Sequence, residues 1–176
     1  MIALITAAAA VLVTAGVLFL TGVIGGKAPD APPALQKGEL TVGEDIAFER
    51  ITDLYYTYDA STFPPHYQRY RFYAAEGKHW FFHETREGDH WPLTEEDATV
   101  SGTRELTEAQ WAGFLSLVSG GTVTKREESA DSGGAGPWLY LYWDGDRGEY
   151  QVFGFSSREA ETSFEELCGE LAGTQE

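Results

Sequence analysis

The sequence predicts an α+β domain, an antiparallel β-sheet with two helices packed on one face, preceded by an N-terminal transmembrane helix. Three observations carry that prediction. Ile2–Ile24, IALITAAAAVLVTAGVLFLTGVI, is uncharged and long enough to cross a bilayer, which takes about 20 apolar residues. Between Phe48 and Ser157, short runs rich in Tyr, Phe, Trp, Val and Thr alternate with turn signals, as hairpin-linked strands do. Two other stretches carry apolar residues at helical spacing. Strands that arrive in hairpins, with helices after them, build an antiparallel sheet covered on one face.

The first element, residues 1–25, has no polar face, which argues against a buried core helix. Its apolar run exceeds the roughly 7–15 residues of a cleaved signal peptide, and no basic side chain precedes it. Small residues at Gly26 and Ala28 leave cleavage open as the alternative. No cysteine follows directly, which excludes a lipid-modified N-terminal cysteine. Lys27 is the only flanking basic side chain, so charge asymmetry does little to orient the span. A domain that directly follows a signal-like segment points to the extracytoplasmic side. The expectation is a single-pass protein of the cell membrane, in contact with the bilayer through this helix. Within it, Ala10 and Thr14 have the small-xxx-small spacing that lets helices approach.

Residues 26–40 are rich in Pro, Gly and Ala, and Pro29, Pro32 and Pro33 make a semi-stiff spacer of about 3 Å per residue. The acidic α+β domain follows over 41–172, with a short tail at 173–176. Its first strand is expected at Phe48–Asp59, ended by the paired prolines of STFPPH. Tyr67–Ala75 and Lys78–Glu87 read as a hairpin turning at Glu76-Gly77, and Ala98–Arg104 as a further strand. LTEAQWAGFLSLVSGG is a helix: Thr107 and Gln110 form a capping box, Trp111, Phe114, Leu115 and Val118 share a face, and Gly120-Gly121 stops it. TVTKREES is a strand, then GPWLYLYWDG and EYQVFGFSS form a hairpin through DGDRG. Ser156 or Ser157 caps a last helix with Ala160, Phe164, Leu167, Cys168 and Leu171 on its apolar side.

Charge narrows the function. The 176 residues include 12 Lys and Arg against 28 Asp and Glu, a formal net charge of −16, none of it in the apolar segment. Nucleic acid and anionic lipid surfaces both require clustered basic side chains, so neither is an expected partner. The single Cys168 cannot form an intramolecular disulfide and does not report the redox compartment.

Alternate residues of a strand face opposite ways. In GPWLYLYWDG, Leu139, Leu141 and Trp143 therefore go one way and are assigned beneath the helices with Leu115, Phe164 and Leu167. Trp138, Tyr140 and Tyr142 go the other way and are the candidate binding residues, because tyrosine tolerates a half-wet position and aromatic patches mark interaction sites when contiguous. The alternative is a second layer of core. His79 and His83 are about 13 Å apart along a strand, too far to share an ion, and His66 and His90 lie in loops, so no metal site is expected. DGDRGE lacks the ligand pattern of a calcium loop and has the composition of a turn. The carboxylates of Glu95–Asp97 read as a solvated loop, and Cys168 as a small core residue. No cofactor and no catalytic set is expected from any motif.

At GPWLYLYWDG and at the terminal FEELCGEL, the chain resembles small extracytoplasmic proteins of Gram-positive bacteria that carry one sheet-and-helix domain on a lipid or helix anchor. The resemblance implies a surface location and no activity. The functional expectation is a binding or protein-interaction module for a protein or carbohydrate. The alternative is a cell-envelope hydrolase with dispersed catalytic carboxylates.

Overall fold

Strands form where tyrosine, phenylalanine and β-branched residues alternate with polar ones, a pattern suited to a pleated, half-buried surface. In the computed structural model, which describes residues 38–126, 137–146 and 150–173, the longest such runs are β2 (Ile51–Ala60), β3 (His66–Ala75), β4 (Lys78–Glu87) and β5 (Ala98–Glu105), an antiparallel meander. β1 (Glu39–Thr41) precedes them, and β6 (Thr122–Arg126), β7 (Trp138–Trp143) and β8 (Tyr150–Gly154) follow. All eight join one antiparallel sheet in the order β1-β6-β8-β7-β2-β3-β4-β5. With helices α1 (Glu108–Val118) and α2 (Arg158–Gly173), the chain adopts the expected α+β class.

Local chemistry sets the ends of these elements. The β3–β4 turn uses positive φ at Glu76 and Gly77, 55° and 73°, the twist a two-residue hairpin needs. At α1, the Gln110 amide donates to Thr107 Oγ1 at 3.2 Å while Thr107 N–H donates to Gln110 Oε1 at 2.9 Å, closing the capping box. Gly120, at φ +70°, ends the helix. Gly121 then passes so close to Phe153 that a Cβ there would lie 2.5 Å from the ring. Ser157 caps α2 by accepting from Ala160 N–H at 3.1 Å.

Both helices cover the same face of the sheet. Phe72, at the centre of β3, stacks on Phe114 of α1 (centroids 4.4 Å apart, planes 5° apart) and meets Phe164 of α2 at 5.5 Å. Cross-strand register puts Leu54, Phe72 and Phe81 side by side, and Leu141 next to Leu54. Leu141 is fully buried, and Leu139 and Trp143 pack against the same core, so this alternate set lies under the helices as expected. Cys168 and Leu171 complete the α2 side of the core, and burial pushes the Cys168 thiol well above its ordinary pKa.

Several boundaries differ from the sequence reading: β3 begins at His66, which was expected in a loop, and β2 and β5 each run one residue further, to Ala60 and Glu105. Phe48–Arg50 form a single 3-10 turn, so β2 begins at Ile51 rather than Phe48. The three-residue β1 pairs with β6 where the spacer was expected to give way to the domain. The anchor expected at 1–25, the spacer up to residue 37 and the tail beyond Gly173 lie outside the described residues, as does the far half of the DGDRGE turn. No helix among the described residues is long and apolar enough to cross a membrane.

Candidate functional site

The face of the sheet away from the helices is built from the other alternate set. On β7 that set is Trp138, Tyr140 and Tyr142, each half-buried. Pairing with β2 sets Tyr142 beside Asp53, Tyr140 beside Tyr55 and Trp138 beside Thr57. The β2–β3 and β3–β4 registers extend each row: Asp53, Tyr73 and Trp80; Tyr55, Arg71 and Phe82; Thr57, Arg69 and Glu84. The three sequence-predicted residues therefore form one border of a patch four strands wide.

Within the patch, rings and charges interleave. Tyr142 meets Tyr55 edge-to-face, with centroids 6.1 Å apart and planes at 86°. The Arg71 guanidinium lies over both Tyr55, at 4.8 Å, and Tyr73, at 4.3 Å, within the reach of a cation–π contact. Its Nε donates to Asp53 Oδ1 at 2.6 Å, and Asp53 is only 3 % exposed. Burial opposes the Arg71 charge, but the hydrogen bond and charge of Asp53 outweigh it and raise the guanidinium's pKa. Tyr73 stacks on Trp80 at 6.5 Å, and Lys78 Nζ sits 5.8 Å from the Trp80 ring while pairing with Glu105 at 2.6 Å. Tyr142, Tyr55, Arg71, Tyr73, Trp80 and Lys78 thus make a continuous ladder across β7, β2, β3 and β4.

A second cluster occupies the neighbouring end of the same face. Arg86 lies over Tyr67 at 4.3 Å, pairs with Glu84, and donates from Nη1 to the Leu93 carbonyl at 3.4 Å. Arg69 lies 5.3 Å from the same ring. The Tyr67 hydroxyl and Arg69 Nε are buried without a hydrogen-bond partner. Burial raises the pKa of the Tyr67 phenol and of the Asp59 carboxyl, the latter against the lowering pull of Arg86 and Arg69.

Two carboxylates and two imidazoles in and near the patch are engaged with neighbouring side chains. Asp53 and Glu84 are each committed to an arginine. His79 is stacked on Trp111 at 4.2 Å on the opposite face, and His83 lies along Phe81 with its pKa lowered by burial. Among the described residues, no group of three or more His, Cys, Asp or Glu is placed to hold a metal ion. Rings that keep polar tips while burying their bodies, with arginines between them, are the side chains that dominate binding surfaces.

Sequence reasoning found the β7 border of the patch and missed Tyr55, Arg71, Tyr73 and Trp80. Their alternation is visible in TDLYYTYD and RYRFYA, but neither run says which strand lies beside β7. β3 lies within the sheet, with Tyr70 and Phe72 on the helix side. Comparison with protein-family models, with curated proteins and with solved structures finds no match to this chain.

Proposed function

We propose that this chain is a single-pass membrane protein whose extracytoplasmic domain is a binding or protein-interaction module, gripping a protein or carbohydrate partner through Trp138, Tyr140 and Tyr142. The observation that carries the reading is the aromatic ladder on the face that neither helix covers, running from Tyr142 to Trp80. A sheet needs one apolar face to fold, and α1 and α2 already supply its cover. The second aromatic face is thus more than folding of this sheet requires, and a partner that buries half-wet rings gains from each of them.

The test uses Tyr140→Ala and Tyr142→Ala in the full-length chain, with crosslinking to envelope proteins and a glycan panel as the two readouts. Loss of a central aromatic contact weakens binding by about tenfold or more. Both variants are expected to retain a cooperative melt while losing the partner. Variants that simply unfold would mark the face as core, and variants that keep the partner would move the site elsewhere.

A further inference from the structure

The open face is not uniform along its strands. At its centre the charges cancel within the chain, since Arg71 is tied to Asp53. Towards the β2–β3 loop, the register sets Trp138 of β7, Thr57 of β2 and Arg69 of β3 in one row. Neighbouring strands lie about 4.8 Å apart, so the Trp138 and Arg69 backbones are about 10 Å apart with only the small Thr57 between them. Tyr55 and Asp59, two residues to either side of Thr57 on β2, bound this notch along the strand.

The polar groups around the notch lack partners. Glu84, the register neighbour of Arg69, is already engaged by Arg86, which also donates to the Leu93 carbonyl. Arg69 makes no ion pair among the described residues, although the sequence holds 28 Asp and Glu. Its Nε is buried without an acceptor. The adjoining Tyr67 is only 5 % exposed, and its hydroxyl is likewise buried without a partner. Arg69 Cζ lies 5.3 Å from that ring, so the two unsatisfied donors belong to one place. Native folds satisfy nearly all such groups, from protein, water or a bound ligand. The Thr57 hydroxyl and the Asp59 carboxylate also make no hydrogen bond or ion pair among the described residues.

The chemistry of these groups selects an occupant. Two neighbouring donors, one of them a guanidinium, suit the paired oxygens of a carboxylate. A phosphate fits less well, because it brings more negative charge up to Asp59 and Glu84 with a single uncommitted arginine to meet it. The half-buried Trp138 ring stands across the notch from Arg69, at a spacing that suits one saturated ring between them. Such a ring offers its C–H groups to the indole and its hydroxyls to Thr57 and Asp59. The carboxyl terminus of a peptide would use the arginine but neither Asp59 nor the indole.

We propose that the notch between Trp138 and Arg69 is a subsite for a sugar ring bearing one carboxylate, a hexuronic acid residue of a glycan. This rests on the reading of the open face as a binding surface, and narrows its partner to an acidic carbohydrate. Arg69 and the Tyr67 hydroxyl donate to the carboxylate, Trp138 packs on the ring, and Thr57 and Asp59 meet its hydroxyls. A net charge of −16 repels a dense polyanion, so the fitting glycan carries isolated uronates among neutral sugars.

The probes are methyl glucuronoside, methyl glucoside and N-acetylglycine, each titrated into the full-length chain in neutral detergent while NMR follows the Trp138 indole N–H. The glucuronoside is expected to shift that signal saturably, with a Kd at least about tenfold below that of either other probe. Arg69→Gln brings the glucuronoside to the level of the glucoside. Tyr67→Phe weakens it about threefold and, because the lost hydroxyl has no partner in the unliganded chain, does not lower the melting temperature. Should Arg69→Gln fail to fold, Tyr67→Phe and the ranking of the three probes decide the matter. Equal binding of glucoside and glucuronoside overturns the role of the carboxylate. Equal binding of N-acetylglycine overturns the sugar ring in favour of a protein terminus, and a signal that no probe moves overturns the site. Any of these leaves the wider aromatic-face reading standing if Tyr140→Ala and Tyr142→Ala still abolish capture of the partner. Failure of that reading shows instead as capture that survives both variants.

Discussion

The two faces of this sheet are made by the same strands from similarly aromatic residues, yet they pack by different rules. Under the helices, Phe72 is met by Phe81, Phe114 and Phe164 within 5.5 Å, with no charge among them. On the other face, the rings of Tyr55 and Tyr73 are held apart by Arg71, which is itself tied to Asp53. Ring against ring excludes water and needs nothing else. Ring against guanidinium keeps a charge that water or a partner can still reach. Aromatic content alone therefore does not decide which face is interior. The side chains standing next to the rings in register decide it.

The largest expected effect comes from emptying the helix-covered face. Phe72→Ala leaves a cavity between the sheet and both helices and is expected to cost about 3–5 kcal/mol, read as a shift in urea midpoint at constant slope. A loss below about 1 kcal/mol would mean that the two faces are equally loose.

Next comes the charged centre of the open face. Arg71→Leu takes the arginine from the buried Asp53 carboxylate and is expected to cost on the order of 2 kcal/mol, less than for a fully buried pair because Arg71 keeps 27 % of its side-chain surface in water. Adding Asp53→Leu should recover most of that loss. A double variant as unstable as the single one would show that the pair does more for the fold than neutralise itself.

The smallest effect is a pH dependence on the helix side. Burial lowers the His83 pKa below its ordinary 6.5, so the unfolded chain takes up this proton more readily than the folded one. Stability is therefore lost as pH falls below about 6.5 and through the folded-state value, while above that window the imidazole is neutral in both states and contributes nothing. Thermal melts between pH 7.5 and 5 should fall less steeply for His83→Gln than for the wild type. Equal slopes would mean that this histidine is as well solvated folded as unfolded.

Much of the helix-covered face was legible in advance. Thr107 with Gln110, Gly120 and Ser157 are local signals, each needing only neighbours within four residues, and each acts where the sequence reading put it. Leu141 could be assigned to the core because its alternate set contains two wholly apolar side chains. The start of β2 was misjudged because Phe48–Arg50 can form either a strand or a turn, and local sequence does not choose. Trp138, Tyr140 and Tyr142 were identifiable as one group because they share a strand. The four-strand ladder was not, since Arg71 meets Tyr55 only through pairing between residues 16 apart.

By itself, the sequence determined the class of the domain, the period of each element, its caps and turns, and the two unequal faces of β7. All of these depend on residues close along the chain, where backbone geometry dictates spacing. Only the tertiary structure decided that β7 lies beside β2, that Asp53 is buried under Arg71, and that β5 is the terminal strand of the sheet among the described residues. Those facts depend on which strands become neighbours, a choice made by the summed packing of all eight rather than by any one of them.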